Sequence, residues 1–353
     1  MTAPPGGDKG GRVVYAGQGR KRKTMADILF IKTSSLGDVV HHMPALTDAA
    51  RARPDARFAW VVEEAFAPLA RLHPSVHEVI PVASRRWRRA LTGPSTLREI
   101  LAFRAALRRK AYGDVVDTQG LLRSGLMTWF ARGRRHGYDR NSIREPAASW
   151  FYDVRHAVSR DRHAIERNRT LAGLALGYVP AGPVDYGLDR GALAAAAPAS
   201  PPLALLLHAT ARAEKEWPEQ NWIALGRKLA GRGLAVLLSY GNDVERARAE
   251  RLAAEIPGAV VPERRPLDET ARLIASCALV VGVDTGLLHL AAALAVPLAA
   301  IFVGTEPGLT GPLGTGPIAV TGGKGQCPPV DEVLAAVDGL AKPGVNPPPV
   351  PPT

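Results

Sequence analysis

Apolar residues gather in short runs that are hydrophobic throughout and do not alternate with polar ones. In the first half these runs predict strands at Ile28–Ile31, Phe58–Val62, Val79–Val82 and Asp114–Asp117. In the second half they recur as "LALLLHAT" (203–210), "LAVLLSYG" (234–241), "AVVP" (259–262), "ALVVGVD" (278–284) and "LAAIFVG" (298–304). Continuous apolar runs of this length are the mark of strands buried on both faces. Segments with helical spacing lie between them. One resumes after Gly37 at Val39, Val40, Met43 and Leu46, and another covers Leu97–Lys110. The later ones run over 222–229, 244–256, 267–277 and 287–294. Strand and helix in alternation predict parallel sheets covered by helices.

The series stops at residues 177–202, "GYVPAGPVDYGLDRGALAAAAPASPP", and then restarts. The expected architecture is therefore α/β with two Rossmann-like domains, 25–176 and 203–342, whose parallel sheets face each other across a cleft. Residues 177–202 form the connection. Residues 1–24 are rich in Gly, Lys and Arg, and 343–353 in Pro; both read as disordered extensions. Met25 directly precedes the first strand.

At 353 residues the chain has room for two such cores. The longest apolar runs fall far short of the roughly 20 residues a membrane span needs. No apolar signal core follows the basic N-terminus. Cys277 and Cys327 make neither a disulfide framework nor a metal spacing, so a reduced, cytoplasmic setting is expected. The formal charge of +12 is unevenly placed: +5 over 1–25, +10 over 26–180 and −3 over 181–353. Either the composition is simply rich in arginine, or the N-terminal half meets a polyanion such as an anionic lipid surface, an acidic sugar or a nucleic acid.

Open parallel sheets bind ligands where helix N-termini point free amides past the strand ends. Two places in the second half fit an anion. After "LALLLHAT" come Thr210 and Lys215, a lysine on a loop that suits a phosphate or is a plain surface residue. In "VDTGLLH", Asp284 ends a strand, Thr285 and Gly286 open a helix, and His289 lies one turn in. This reads as an anion site or an ordinary N-cap, with Gly286 allowing close approach of a ligand. Glu245 suits ribose hydroxyls or, on spacing alone, a helix start. In the first half, "RRWRR" sets Arg85, Arg86, Arg88 and Arg89 just past a strand, against the dipole of any helix beginning there. Arg123 and Arg144 extend the same basic surface. Asp38, after the first strand, would repel a phosphate; it is a helix cap or something more.

The blocks "ILFIKTSSLGDVVHHMPALTDA", "FAWVVEEAFAPLARLHPSVHEVIPVASRRWRRA", "VVDTQGLLRSGL", "HATARAEKEWP" and "VVGVDTGLLHLAAAL" resemble the ADP-heptose:lipopolysaccharide heptosyltransferases of glycosyltransferase family 9. "KTSSLGD" and "RRWRR" incline the likeness to the type I members. The resemblance, from about Met25 to Gly311, implies an inverting GT-B transferase without a catalytic metal or cofactor. It would carry L-glycero-D-manno-heptose from ADP-heptose to the inner Kdo of Kdo2-lipid A at the cytoplasmic face of the inner membrane. On this resemblance Asp38 is the general base. The donor site takes in Thr210, Ala211, Lys215, Glu245, Asp284, Thr285, Gly286 and His289, and Lys215 also serves the departing ADP. The acceptor site takes in Lys32, Ser34, Ser35, Gly37, Arg85, Arg86, Arg88 and Arg144. Ala211 stands where family members often have a second threonine. Its partners would be the two substrates and an anionic membrane surface, with no nucleic acid, and a monomer is expected. The competing readings are a type II heptosyltransferase or another nucleotide-sugar transferase, and a non-catalytic polyanion binder.

Overall fold

The computed structural model describes residues 27–90, 93–196, 199–210 and 212–340. Ala211, both predicted extensions and Met25 lie outside them. Two parallel sheets make the framework. The first, of six strands, has the order β3-β2-β1-β4-β5-β6, and the second, of five strands, the order β11-β10-β9-β7-β8. The strands are β1 (Asp27–Ile31), β2 (Arg57–Glu63), β3 (Val76–Val82), β4 (Ala111–Asp117), β5 (Arg132–Tyr138), β6 (Val154–His156), β7 (Leu203–Leu207), β8 (Ala235–Leu238), β9 (Leu279–Val283), β10 (Leu298–Phe302) and β11 (Ile318–Gly322).

β1 runs between β2 and β4, with Ile28 opposite both Phe58 and Asp114. Ile28, Leu29, Phe30 and Ile31 are fully buried, as a strand covered on both faces requires. The strand order reverses between β1 and β4, and again between β7 and β9. Each reversal opens a crevice at the strands' carboxyl ends, where doubly wound sheets hold ligands.

The helix Leu36–Ala52 is buried continuously from Val39 to Ala49. A helix enclosed on all sides is an interior element. This one lies on the first sheet and packs against the helix Ala164–Leu176 and, from the second lobe, the helix Gly286–Ala293. Most of its buried polar groups find partners, as desolvation demands, His42 Nε2 being an exception among the described residues. The Thr47 hydroxyl lies 3.0 Å from His73 Nε2, Asp48 accepts from Arg169 at 2.7 Å, and His42 Nδ1 meets the Thr118 hydroxyl at 3.1 Å.

The connection predicted at 177–202 is strapped to the second lobe. Arg190 donates to the carbonyls of Ala275, Cys277 and Ala295, and the Tyr186 hydroxyl donates to Leu313 O at 2.6 Å. Three strands, β5, β6 and β11, stand where no strand was expected. The predicted strand "AVVP" is a single parallel bridge between Val260 and Leu237.

Candidate active site

The loop after β1 is set by Gln119, whose Oε1 accepts from the Thr33 and Ser34 amides at 2.9 and 3.0 Å. The chain then enters the helix Leu36–Ala52 with Ser35 as N-cap and Asp38 at N3. Asp38 Oδ2 accepts from the Ser35 amide at 2.8 Å and the Ser35 hydroxyl at 3.1 Å. This is the acidic half of a capping box. The other oxygen, Oδ1, lies 3.8 Å from Lys32 Nζ, and the side chain is 36% exposed. Asp38 is thus held in the capping box through Oδ2, while Oδ1 makes no hydrogen bond among the described residues and stands within ion-pair distance of Lys32.

Lys32 is buried, and its ammonium donates to Thr118 O at 3.1 Å. Burial pushes its pKa down, while Asp38 and Asp117 pull it back up. Arg123, from the helix Leu122–Phe130, donates to Ser34 Oγ at 2.8 Å. Burial and the nearby Arg88 and Arg85 push its pKa down. Nε of Arg123 and of Arg167 are buried without a hydrogen-bond partner among the described residues. Arg144 is exposed and within electrostatic range of Lys32.

The "RRWRR" side chains divide by role. Trp87 is buried and donates to Glu99 at 2.7 Å. Arg86 is a brace: its Nε and Nη2 donate to Glu64, each at 3.1 Å, and its Nη1 to Glu99 at 2.9 Å. Arg85 lies over the Phe66 ring, 5.2 Å from its centroid, and lines the cleft between lobes. Arg88 is exposed.

In the second lobe, Asp284 directly follows β9 and gathers three partners. Lys215 donates to Oδ2 at 2.5 Å and Thr305 at 2.9 Å, and His289 Nε2 lies 3.7 Å from Oδ1. Burial would raise the Asp284 carboxyl, but hydrogen bonds from His289, Lys215 and Thr305 override it and hold the group well below the usual carboxylate range. The Thr210 hydroxyl donates to Asp284 O at 3.1 Å. Thr285 is the N-cap of the helix Gly286–Ala293. Glu245 ties down the loop after β8, accepting from the Gly241 amide at 2.6 Å and Asn242 Nδ2 at 2.7 Å.

The two lobes meet tip to tip. A Cβ on Gly286 would stand 2.6 Å from Leu36 Cβ, and one on Gly37 would stand 3.0 Å from His289 Cδ2. Gly286 is therefore required by the other lobe's leucine, a packing reason for glycine that the sequence did not show. His41 and His289 join across the same seam, Nε2 to Nδ1 at 3.2 Å. His41 lies within the apolar stretch of its helix, where the sequence gives no sign of a partner 248 positions away.

Beside this seam opens a cleft of about 700 Å³. Its first-lobe wall includes Leu36, Phe66 and Arg85; its second-lobe wall includes Thr210, Tyr240, Glu245, Arg264, Leu267 and Thr285. Tyr240, whose hydroxyl accepts from the Arg264 amide at 3.1 Å, escaped the sequence reading together with the loop 262–267. The position of "SYGN" past a strand's carboxyl end was the available signal. Two helix N-termini, that of Leu36–Ala52 and that of Gly286–Ala293, direct their positive ends to this seam, which suits an anionic ligand.

The model of glycosyltransferase family 9 (heptosyltransferase) matches residues 100–333. Lipopolysaccharide heptosyltransferase 1 of Pseudomonas aeruginosa is 47% identical over 289 residues, 81% of each chain. The enzyme of that name from Salmonella typhimurium is 44% identical, covering 83% of this chain and 93% of its own. The structure of E. coli heptosyltransferase WaaC with ADP superposes with a TM-score of 0.83 at 40% identity, covering 89% of this chain and all of that one. The two facing sheets are the GT-B arrangement, and the chain belongs to glycosyltransferase family 9, the heptosyltransferases.

Proposed function

We infer that the chain carries the activity of lipopolysaccharide heptosyltransferase I, moving heptose from ADP-heptose to the lipopolysaccharide core. In finer detail the donor sugar is L-glycero-D-manno-heptose and the acceptor is the inner Kdo of Kdo2-lipid A. The observation that carries this reading is the contact of Leu36 and Gly37 with Gly286 and His289. It brings a half-exposed carboxylate on one lobe to the mouth of an anion-binding helix on the other.

The residues then act as follows. The ADP moiety lies in the 700 Å³ cleft, with its pyrophosphate at the amides of Thr285 and Gly286 and near Lys215. The acceptor hydroxyl comes to Asp38 Oδ1, the oxygen the cap leaves open, and gives up its proton there as its oxygen attacks the anomeric carbon. The bond to the ADP oxygen breaks on the opposite face, so configuration inverts. Charge growing on the departing phosphate is met by Lys215 and the helix N-terminus, already in place. Lys32, Arg88, Arg144 and the unpartnered Nε atoms of Arg123 and Arg167 supply donors for the acceptor's carboxylate and phosphates. Thr210, Asp284 and His289 hold the donor loop and Glu245 its ribose side, while Ser34, Ser35 and Gly37 shape the acceptor loop. The protein works at the inner membrane's cytoplasmic face; among the described residues no helix is long and apolar enough to cross a membrane.

The test is ADP release from ADP-heptose with either Kdo2-lipid A or its heptosylated product as acceptor. Turnover on the first alone supports the reading; turnover on the second alone makes the chain a type II enzyme.

A further inference from the structure

The first lobe carries an apolar surface that its catalytic cleft does not use. In the helix Pro94–Arg108, Leu97 and Leu101 are 51% and 60% exposed. In the helix Leu122–Phe130, Leu122, Leu126 and Trp129 are 47%, 41% and 55% exposed. Trp150, on the turn Pro146–Phe151, is 71% exposed. The spacings are i, i+4 in the first helix and i, i+4, i+7 in the second, so each set forms one stripe along its helix.

The three elements are neighbours. The Arg104 guanidinium of the first helix lies 5.4 Å from the centroid of the Phe130 ring in the second. Phe151 packs against Gly125, where an added Cβ would fall 2.7 Å from its ring. Large apolar side chains from three adjacent elements therefore share one face, more than the scattered exposure a soluble surface shows.

The charge around this face narrows what can cover it. Arg104 and Arg108 lie on the same helical stripe as Leu97 and Leu101, and Arg132 follows Phe130 by two positions, all three exposed. Residues 84–110 hold one acid, Glu99, already engaged with Arg86 and Trp87, and residues 118–138 hold none; the two acids flanking Trp150 are also engaged, Glu145 accepting from the Leu122 amide and Asp153 pairing with Arg135. A second copy of the chain would set arginine against arginine, whereas an anionic bilayer offers phosphates to the arginines and an acyl boundary to the leucines and tryptophans. Tryptophan, an apolar ring with a polar handle, settles at that boundary.

The face also adjoins the acceptor loop. The helix whose outer side shows Leu122, Leu126 and Trp129 sends Arg123 inward to Ser34. We propose that the exposed stripes of Pro94–Arg108 and Leu122–Phe130, with Trp150, dock the first lobe on an anionic phospholipid surface. An acceptor then reaches the Asp38 loop while its acyl chains stay in the bilayer. The consequence for the reaction rests on the function inferred above; the docking face does not.

The test is flotation of the full chain with phosphatidylglycerol–phosphatidylcholine vesicles and with pure phosphatidylcholine vesicles. The wild type should float with the first and much less with the second. Trp129→Ser and Trp150→Ser should each weaken partitioning about tenfold, the order expected when a large apolar side chain no longer leaves water. Trp129→Phe should keep most of the binding. Arg104→Glu with Arg108→Glu should abolish the preference for anionic lipid. The variants should keep the wild-type melting temperature and turn over a deacylated acceptor in vesicle-free buffer at the wild-type rate. Equal flotation of wild type and tryptophan variants overturns the docking face. So does failure of the wild type to float, or self-association that these variants abolish. Failure of the wild type on every acceptor would instead defeat the inferred function, leaving flotation to decide the face.

Discussion

Each lobe sets an aspartate and a lysine at the reversal point of its sheet, but the two pairs are built differently. Lys215 and Asp284 are in contact at 2.5 Å, with Thr305 and His289 completing the carboxylate's surroundings. Lys32 and Asp38 stand 3.8 Å apart; the lysine is buried on a carbonyl and the aspartate has one oxygen, Oδ1, without a hydrogen bond among the described residues. A carboxylate saturated with donors and held far below its ordinary pKa is a poor proton acceptor and a good fixed point. One held by a cap on a single oxygen is positioned yet still has a lone pair to offer. The same pair of residue types therefore anchors a ligand site in one lobe and supplies a base in the other.

The sharpest way to break this comparison is Asp38→Asn, which should preserve the cap yet lower turnover by about 10²–10⁴-fold; ADP release at saturating donor and acceptor reads it. Lys215→Ala should lower turnover by about 10²–10³-fold, since a preorganised donor to developing charge is removed. Gly286→Ala comes next. Its methyl has no room against Leu36, and overpacking of this kind costs about 1–3 kcal/mol. Denaturant melts of Gly286→Ala, Leu36→Gly and the double variant should show the second change relieving the first, since only glycine removes the Leu36 Cβ that the new methyl meets.

Acid should separate the lobes. Burial pushes His73 and His208 each down to about 4, and holds His41, His42 and His163 below the usual value.

 The unfolded chain binds protons near pH 6.5 and the folded one does not, so stability is full above that value and falls as pH drops below it. For His73 the loss is complete near pH 4 and amounts to about 3 kcal/mol, and the same holds for His208. Four of these five histidines belong to the first lobe, so hydrogen exchange followed from pH 7 to pH 4 should show it opening before the second. The smallest effect is expected from Glu245→Ala. Freeing the loop at Gly241 and Asn242 should raise the donor KM several-fold, in line with the roughly 0.5–2 kcal/mol a helix cap contributes.

The two lobes also differed in how readily their parts could be read from sequence. Strands enclosed on both faces announce themselves as apolar runs, and β1, β2, β7, β9 and β10 were all visible. β5, "RGRRHGY", was not. Its arginines lie near the sheet's edge, and its Gly137 makes room for the Tyr152 ring, which a Cβ there would strike at 2.2 Å. β6 has three residues, too few to show a period. In the candidate site, Asp284 and Lys215 were legible because both lie at strand ends of one lobe. The partnership of His41 with His289, the packing of Leu36 on Gly286 and the bracing of Arg86 by Glu64 and Glu99 were not legible. Each depends on a contact between elements far apart in the chain, which local spacing does not encode.

The division of labour between the lobes is tested most directly by titrating ADP into Asp38→Asn and Lys215→Ala by calorimetry. The account predicts wild-type affinity for the first, despite its lost turnover, and affinity at least about tenfold weaker for the second, the 1.4 kcal/mol scale of one charged contact. Weakened ADP binding by Asp38→Asn, or undiminished binding by Lys215→Ala, would contradict it.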